Sequence, residues 1–285
     1  MLQDLYAPLP DTATYLRRIG VAPDAWDRRV HPELPPSPTH YSVPHTKAAL
    51  DSLIAAHLHH VPFENLDVYD LGREVSLEIP ALFEKVVVRR RGGYCFELNA
   101  LFFALLESLG FRGYPIAQRV LSEGDFPPLC HRSAVITLEG GARVLCDVGY
   151  GGPSPVSTLY LDSGAEQVSG KNRFRLDRDP RRGLRRLNLL EGDRTVPLLL
   201  FSEAPLDAVD FLPLNSYMAC NENSCFRRHR VMNLLLPEGS VSVVDDRLRI
   251  HRNGRLEERP IASRAELKAV CTAYFGIPEA SLAAL

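Results

Sequence analysis

No stretch of this 285-residue chain approaches the roughly 20 consecutive apolar residues that a membrane-spanning helix requires. An excess of one charge is also missing. Against 33 Lys and Arg stand 35 Asp and Glu, and a net of −2 removes the electrostatic reason to expect nucleic acid or an anionic membrane as partner. The opening residues, Met1 to Tyr6, lack a basic region followed by an apolar block, so no secretory signal is read and a cytoplasmic location is expected. The six cysteines (Cys95, Cys130, Cys146, Cys220, Cys225 and Cys271) contain no C-x-x-C pair, which weakens both a zinc and a thioredoxin reading. In a reducing compartment they are expected to be free thiols. Internal repeats and low-complexity tracts are absent. Proline is plentiful, and several of the 22 fall in Pro32–Pro44, which reads as a loop.

Hydrophobic periodicity changes along the chain. The first third has helical spacing over Thr12–Ile19, Thr46–His59 and Ile79–Val88. After Arg91-Gly92-Gly93-Tyr94-Cys95, the residues Phe102, Leu105, Leu106 and Leu109 recur at i, i+3, i+4 and i+7, with Gly110 at the C-terminal cap position. This predicts an amphipathic helix with Cys95 in its first turn. The middle third alternates as strands over Tyr114–Leu121, Ser133–Leu138, Arg143–Val148, Arg173–Leu176, Leu187–Leu190 and Val196–Phe201. The last part is mixed, with strands at Ser240–Val244, Arg247–Arg252 and Arg255–Pro260, then a helix at Ser263–Phe275 opened by a Ser263/Glu266 capping box. Helices, then strands, then a mixed segment predict an α+β fold with segregated parts.

Cys95 is the leading candidate for chemistry. A thiol in a helix's first turn meets the positive end of the macrodipole and unpaired N–H groups, which favour thiolate. The two preceding glycines are read as letting a substrate approach the backbone. The competing reading is a buried helical cysteine beside Phe102. A nucleophile needs a base, and the base an orienting partner. His57, His59 and His60 end a helix, where histidine caps the dipole. His131 instead enters a strand, and Asp147 ends the next one, where an acid is unusual; the alternative there is a turn-forming Asp before a Gly-rich loop. Parity tests the pairing. A two-residue Gly140-Gly141 turn makes opposed residue numbers sum to 281 and puts His131 and Asp147 on opposite faces. A three-residue loop or one bulge makes the sum 280, and Asp147 then lies diagonally across from His131 on the same face, about 7–8 Å away. An odd loop or bulge is therefore expected.

These residues together resemble the arylamine N-acetyltransferase family. Arg91-Gly-Gly-Tyr-Cys95-Phe-Glu-Leu-Asn99 is similar to that family's segment around its nucleophile, His60-Val-Pro-Phe-Glu-Asn-Leu-Asp67 to its Pro-Phe-Glu-Asn segment, and Tyr15–Gly20 to its N-terminal helix. Asp147-Val-Gly-Tyr-Gly151 resembles the segment of its triad aspartate, and Asn215-Ser-Tyr217 and Ser224-Cys-Phe226 a segment near the coenzyme A cleft. The resemblance implies an N-terminal helical bundle (1–110) carrying the nucleophile, a central antiparallel β-barrel (111–214) carrying His and Asp, and a C-terminal α/β lid (215–285), with a cysteine-proteinase-like core. It implies a Cys95–His131–Asp147 triad, acetyl-coenzyme A as co-substrate in a ping-pong cycle, no metal, an arylamine, hydrazine or hydroxylamine acceptor, and a part in xenobiotic metabolism. Tyr217, Ser224 and Phe226 carry over as coenzyme contacts, and Arg91, Glu64 and Asn99 as structural hydrogen-bond partners.

Two features depart from the family pattern. Residues 21–45, with Trp26, hold an insertion, and Cys225–Arg230 is unusually basic, its three arginines being either phosphate contacts or a solvated charge run. Three other functions use the same residues. An amide synthase of natural-product assembly would take the acyl group from a carrier protein, and a papain-like or transglutaminase-like hydrolase would pass it to water. A binding module would place Cys130, His131 and Cys146 around zinc, against the usual ligand spacing.

Overall fold

The computed structural model describes residues 2–22, 43–121 and 126–285. Most of the insertion, including Trp26, lies outside these residues. Helix α1 (Thr12–Arg18) starts at Asp11, whose Oδ1 accepts the Thr14 N–H at 3.0 Å. Thr46 caps α2 (Lys47–His60) in the same way. The histidines at its end do different jobs. His57 is fully buried against the Tyr15 hydroxyl at 3.1 Å, and burial pushes it down to about 3, so it is a neutral core residue. His59 and His60 each turn a ring nitrogen onto the carbonyl four residues back.

A two-residue strand, β1 (Phe63–Glu64), precedes the short helices α3 (Leu66–Tyr69) and α4 (Ile79–Phe83). A π-helical turn over Glu84–Val88 follows and leads into the glycine pair. Helix α5 (Cys95–Ser108) is buried on nearly every side rather than along one stripe, because the bundle covers one flank and the barrel the other. Glu97 at its third position accepts the Tyr94 N–H at 3.0 Å and fixes the helix start.

The barrel is an eight-stranded antiparallel sheet made of β2 (Arg112–Val120), β3 (His131–Thr137), β4 (Arg143–Cys146), β5 (Leu159–Tyr160), β6 (Gln167–Ser169), β7 (Asn172–Arg178), β8 (Arg185–Glu191) and β9 (Arg194–Phe201). Its order is β5-β4-β3-β2-β9-β8-β7-β6. The two edge strands nearly meet. The Gln167 side chain bridges them, its Oε1 accepting the Tyr160 N–H at 2.7 Å and its Nε2 donating to the Tyr160 carbonyl at 2.9 Å. Ile116, Val135, Leu145, Phe174, Leu187 and Leu199 fill the interior. The β3–β4 pairs Ala134↔Cys146 and Val135↔Leu145 sum to 280. The connection is a three-residue turn, Glu139–Gly141, in which Gly140 and Gly141 take φ of 82° and 84°. The odd loop expected from parity is present.

Helices α6 (Phe211–Cys220) and α7 (Cys225–Arg228) lead to a second sheet, β1-β10-β11-β12-β13, formed with β10 (Val231–Leu236), β11 (Gly239–Val244), β12 (Arg247–Arg252) and β13 (Arg255–Pro260). Helix α8 (Arg264–Phe275) covers it, capped by Ser263 as expected and ended by Gly276 at φ 64°. Strand β1 belongs to this sheet, so the nucleophile segment and the C-terminal sheet share hydrogen bonds. Among the described residues no helix is long and apolar enough to cross a membrane.

Candidate active site

The segment before α5 is held by charges taken out of water. Glu64, fully buried, accepts the Arg91 guanidinium at 2.8 Å through Oε1 and the Leu66 N–H at 2.8 Å through Oε2. Arg91 also reaches Asp67 at 3.3 Å, and Lys85 joins Asp67 and Glu97, both at 2.6 Å. Arg91 and Glu64 are thus structural partners, as the resemblance implied. The glycines act differently from expectation. A Cβ on Gly92 would lie 1.9 Å from the Pro62 carbonyl oxygen, and one on Gly93 would lie 2.7 Å from Glu97 Oε2. They make room for the chain's own backbone and carboxylate rather than for a substrate.

Cys95 is the first residue of α5 and is 2% exposed. Its thiol donates to the Cys130 carbonyl at 3.6 Å. The expectation of a resting thiolate is corrected here. Burial pushes the thiol well above its ordinary value, the neighbouring Cys130 adds to this, and the Arg132 backbone N–H opposes it without prevailing. The helix terminus alone does not ionise a sulfur that has lost its water, so the proton must be taken by a base.

His131, at the start of β3, and Asp147, just past β4, are brought together. His131 Nε2 donates to Asp147 Oδ2 at 2.6 Å. Burial pushes the Asp147 carboxyl up, but His131 and the hydrogen bonds from Gly149 and Asn99 outweigh it and hold the group below the usual carboxylate range. Asn99 ties this pair to the helix of the sulfur. Its Nδ2 donates to Asp147 Oδ1 at 2.9 Å and to the Arg132 carbonyl at 2.6 Å, while its Oδ1 accepts the Val148 N–H at 3.0 Å. Gly149 closes the joint, since a Cβ there would lie 2.9 Å from the Cys95 Cα. In this arrangement the sulfur bonds to residue 130, adjacent to the imidazole, and no hydrogen bond joins it to the His131 ring among the described residues. The Tyr150 ring meets the imidazole edge-on, with centroids 5.8 Å apart. A small pocket with room for about one water molecule, lined by Leu145, Pro155, Leu159, Leu187 and Leu199, adjoins Asp147.

Cys130, His131 and Cys146 are not brought together as a ligand set: among the described residues no group of three or more His, Cys, Asp or Glu side chains is placed to hold a metal ion, and Cys130 Sγ accepts the Val120 N–H at 3.5 Å. The three residues carried over as coenzyme contacts lie together on α6 and α7. Tyr217 is 38% exposed. Phe226 packs at a tilt against Phe63 and edge-to-face against Tyr94, with ring centroids 5.9 and 5.1 Å away. Ser224 is buried, donates to the Met218 carbonyl at 2.6 Å and accepts the Phe226 N–H, so its hydroxyl is engaged in shaping the turn. Of the basic run, Arg230 is paired with Asp70 at 2.6 Å and Asp246 at 2.9 Å, Arg227 donates to the Val68 carbonyl, and Arg228 is exposed. Sequence reasoning missed Gly149 and Arg132. An arginine inside a strand buried on both faces was the signal available for the latter.

The N-acetyltransferase family model matches residues 46–281. Arylamine N-acetyltransferase of Escherichia coli (strain K12) is 32% identical over 245 residues, covering 80% of this chain and 82% of its own. That of Mycolicibacterium smegmatis is 30% identical over 288 residues, covering 96% and 94%. Among solved structures, the Salmonella typhimurium arylamine N-acetyltransferase superposes with a TM-score of 0.82 at 28% identity over 98% of both chains. The Mycobacterium marinum enzyme in complex with CoA gives 0.79 at 27% identity, over 95% of this chain and 97% of its own. The chain, with a helix-borne cysteine set against a barrel-borne His–Asp pair, belongs to the arylamine N-acetyltransferase family.

Proposed function

We propose that this protein is a cytoplasmic arylamine N-acetyltransferase that moves an acetyl group from acetyl-coenzyme A to an arylamine, hydrazine or hydroxylamine by way of a Cys95 thioester. The observation that carries this reading is the Asn99 bridge, which fixes the His131–Asp147 pair to the helix whose first residue is the thiol. With Nε2 committed to Asp147, the other ring nitrogen of His131 is the base. Turning the Cys95 side chain away from the Cys130 carbonyl hands its proton to that nitrogen. The sulfur attacks the thioester carbonyl, coenzyme A leaves with the proton from the imidazolium, and the acetyl group stays on Cys95. The amine then attacks, His131 takes its proton, and the amide and the Cys95 thiol are released. The Cys95 backbone N–H, without a helical acceptor at this position, is the donor for the oxyanion.

The M. marinum relative was solved with CoA. The resemblance of Asn215–Tyr217 and Ser224–Phe226 to the family's coenzyme segment supports placing coenzyme A against α6 and α7, with Tyr217 and Phe226 as contacts and Ser224 supporting them. A role in handling foreign amines is part of the same proposal. Rapid mixing with acetyl-coenzyme A and no amine should release free coenzyme A in a burst stoichiometric with enzyme and leave an acetyl adduct on Cys95 in the mass spectrum. A linear trace with no adduct would overturn the reading. Asp147→Asn should fold normally and lose about 10³–10⁴-fold in acyl transfer, because the imidazole loses its tautomer and orientation.

A further inference from the structure

Arg132 follows His131 on β3, and strand alternation turns it to the opposite face, where Ala117 is its cross-strand neighbour. It is 4% exposed, and its guanidinium lies over the Phe211 ring, 4.3 Å from the centroid. The other buried arginines all have acceptors: Arg18 bonds the Val86 and His60 carbonyls, Arg91 pairs with Glu64, Arg185 with Glu203 and Arg230 with Asp70. Among the described residues Arg132 has none: its Nε is buried without a hydrogen-bond partner, and it makes no ion pair. A buried guanidinium nitrogen left without an acceptor is costly and calls for an explanation.

The backbone of this residue supplies one. The Arg132 N–H faces Cys95 Sγ, and its carbonyl accepts Asn99 from the next turn of α5. Arg132 is therefore clamped to the helix turn that carries the sulfur. We propose that Arg132 is a positioning residue for acyl transfer, its buried guanidinium supplying the positive charge that keeps the Cys95–His131–Asp147 centre neutral when Cys95 ionises. This rests on the reading of Cys95 as nucleophile.

Charge counting supports it. With Cys95 ionised and His131 protonated, Asp147 leaves the centre at −1, and Arg132 brings it to zero. Other groups facing the sulfur do not supply that charge. Burial keeps the Cys130 and Cys225 thiols neutral, the Tyr94 hydroxyl is held neutral in the same way, and Glu97, in the same helix turn, adds only negative charge when ionised. Glu107, which also acts on Arg132, is exposed and screened by solvent. Burial pushes the guanidinium down to about 10, which leaves it protonated at neutral pH.

The test is Arg132→Met in the full chain. It compares the pH dependence of Cys95 alkylation by iodoacetamide, read on the Cys95 peptide by mass spectrometry, with the thermal melting temperature. The alkylation midpoint should rise by about one pH unit, slowing the reaction and acetyl transfer about tenfold at pH 7. The melting temperature should stay level or rise, since an unpaired buried charge has been replaced by an apolar side chain. Arg132→Lys, which keeps the charge, should restore the wild-type midpoint. An unchanged midpoint in the Met variant, or a Met variant that melts early or does not fold, would overturn the proposal and reduce Arg132 to a packing residue. Failure of the parent reading appears separately, as a wild-type chain with no acetyl adduct on Cys95.

Discussion

Two arginine-bearing turns of this molecule put their charge to opposite use. Before α5, Arg91 and Lys85 are sealed among Glu64, Asp67 and Glu97, and each cation touches two carboxylates. At α7, only Arg230 is held in this way, while Arg227 satisfies a carbonyl and Arg228 faces water. An ion pair weighs on stability according to how much water its members have lost, and the residue types alone do not reveal this. The first turn also carries an imbalance. Three carboxylates against two cations leave one excess negative charge, and it falls on Glu97, which burial pushes up to about 7 against the pull of Lys85.

The largest effect is expected at Arg91. Arg91→Met strips a fully buried Glu64 of its cation and should cost about 3–5 kcal/mol, a fall of about 10 °C in calorimetric Tm. A loss under about 1 kcal/mol would place Arg91 with the surface arginines. Glu97→Gln sharpens the account of the imbalance. A carboxyl raised in the folded state stabilises it fully below the unfolded value, and that contribution is lost as pH rises through about 7. Wild-type stability should therefore decline between about pH 5 and pH 8, and the Gln variant, whose amide oxygen still accepts the Tyr94 N–H, should decline less, by about 3 kcal/mol at the upper end. Parallel denaturant-derived curves would show that Glu97 stays ionised throughout. The smallest effect belongs to Arg228→Ala, which should stay within about 0.5 kcal/mol in urea unfolding. A larger loss would move Arg228 into the class of Arg230.

Local signals made much of this legible in the sequence. The glycine pair before a helical repeat located the start of α5, and period-2 parity across Gly140-Gly141 required the odd turn that sets Asp147 beside His131. Capping chemistry located α8. What escaped depends on residues far apart in the chain. The thiol's protonation is set by burial, which no spacing reports. The need for Gly92 comes from the Pro62 carbonyl, and that for Gly149 from the Cys95 backbone. Strands β1 and β5, two residues each, exist because a neighbour offers an edge, and their sequences carry no period of their own. Ser224 matched a family segment, yet its hydroxyl turns inward to Met218.

The Gln167 bridge gives the barrel a seam. Where a continuous ladder would run from strand to strand, one amide side chain stands in for backbone at Tyr160. It joins β6 to the edge strand whose Leu159 lines the pocket beside Asp147, and Ser169 on β6 adds to the closure by accepting the Val156 and Ser157 N–H groups. The ladder that sets the imidazole beside the carboxylate, β3 with β4, lies one strand in from that seam.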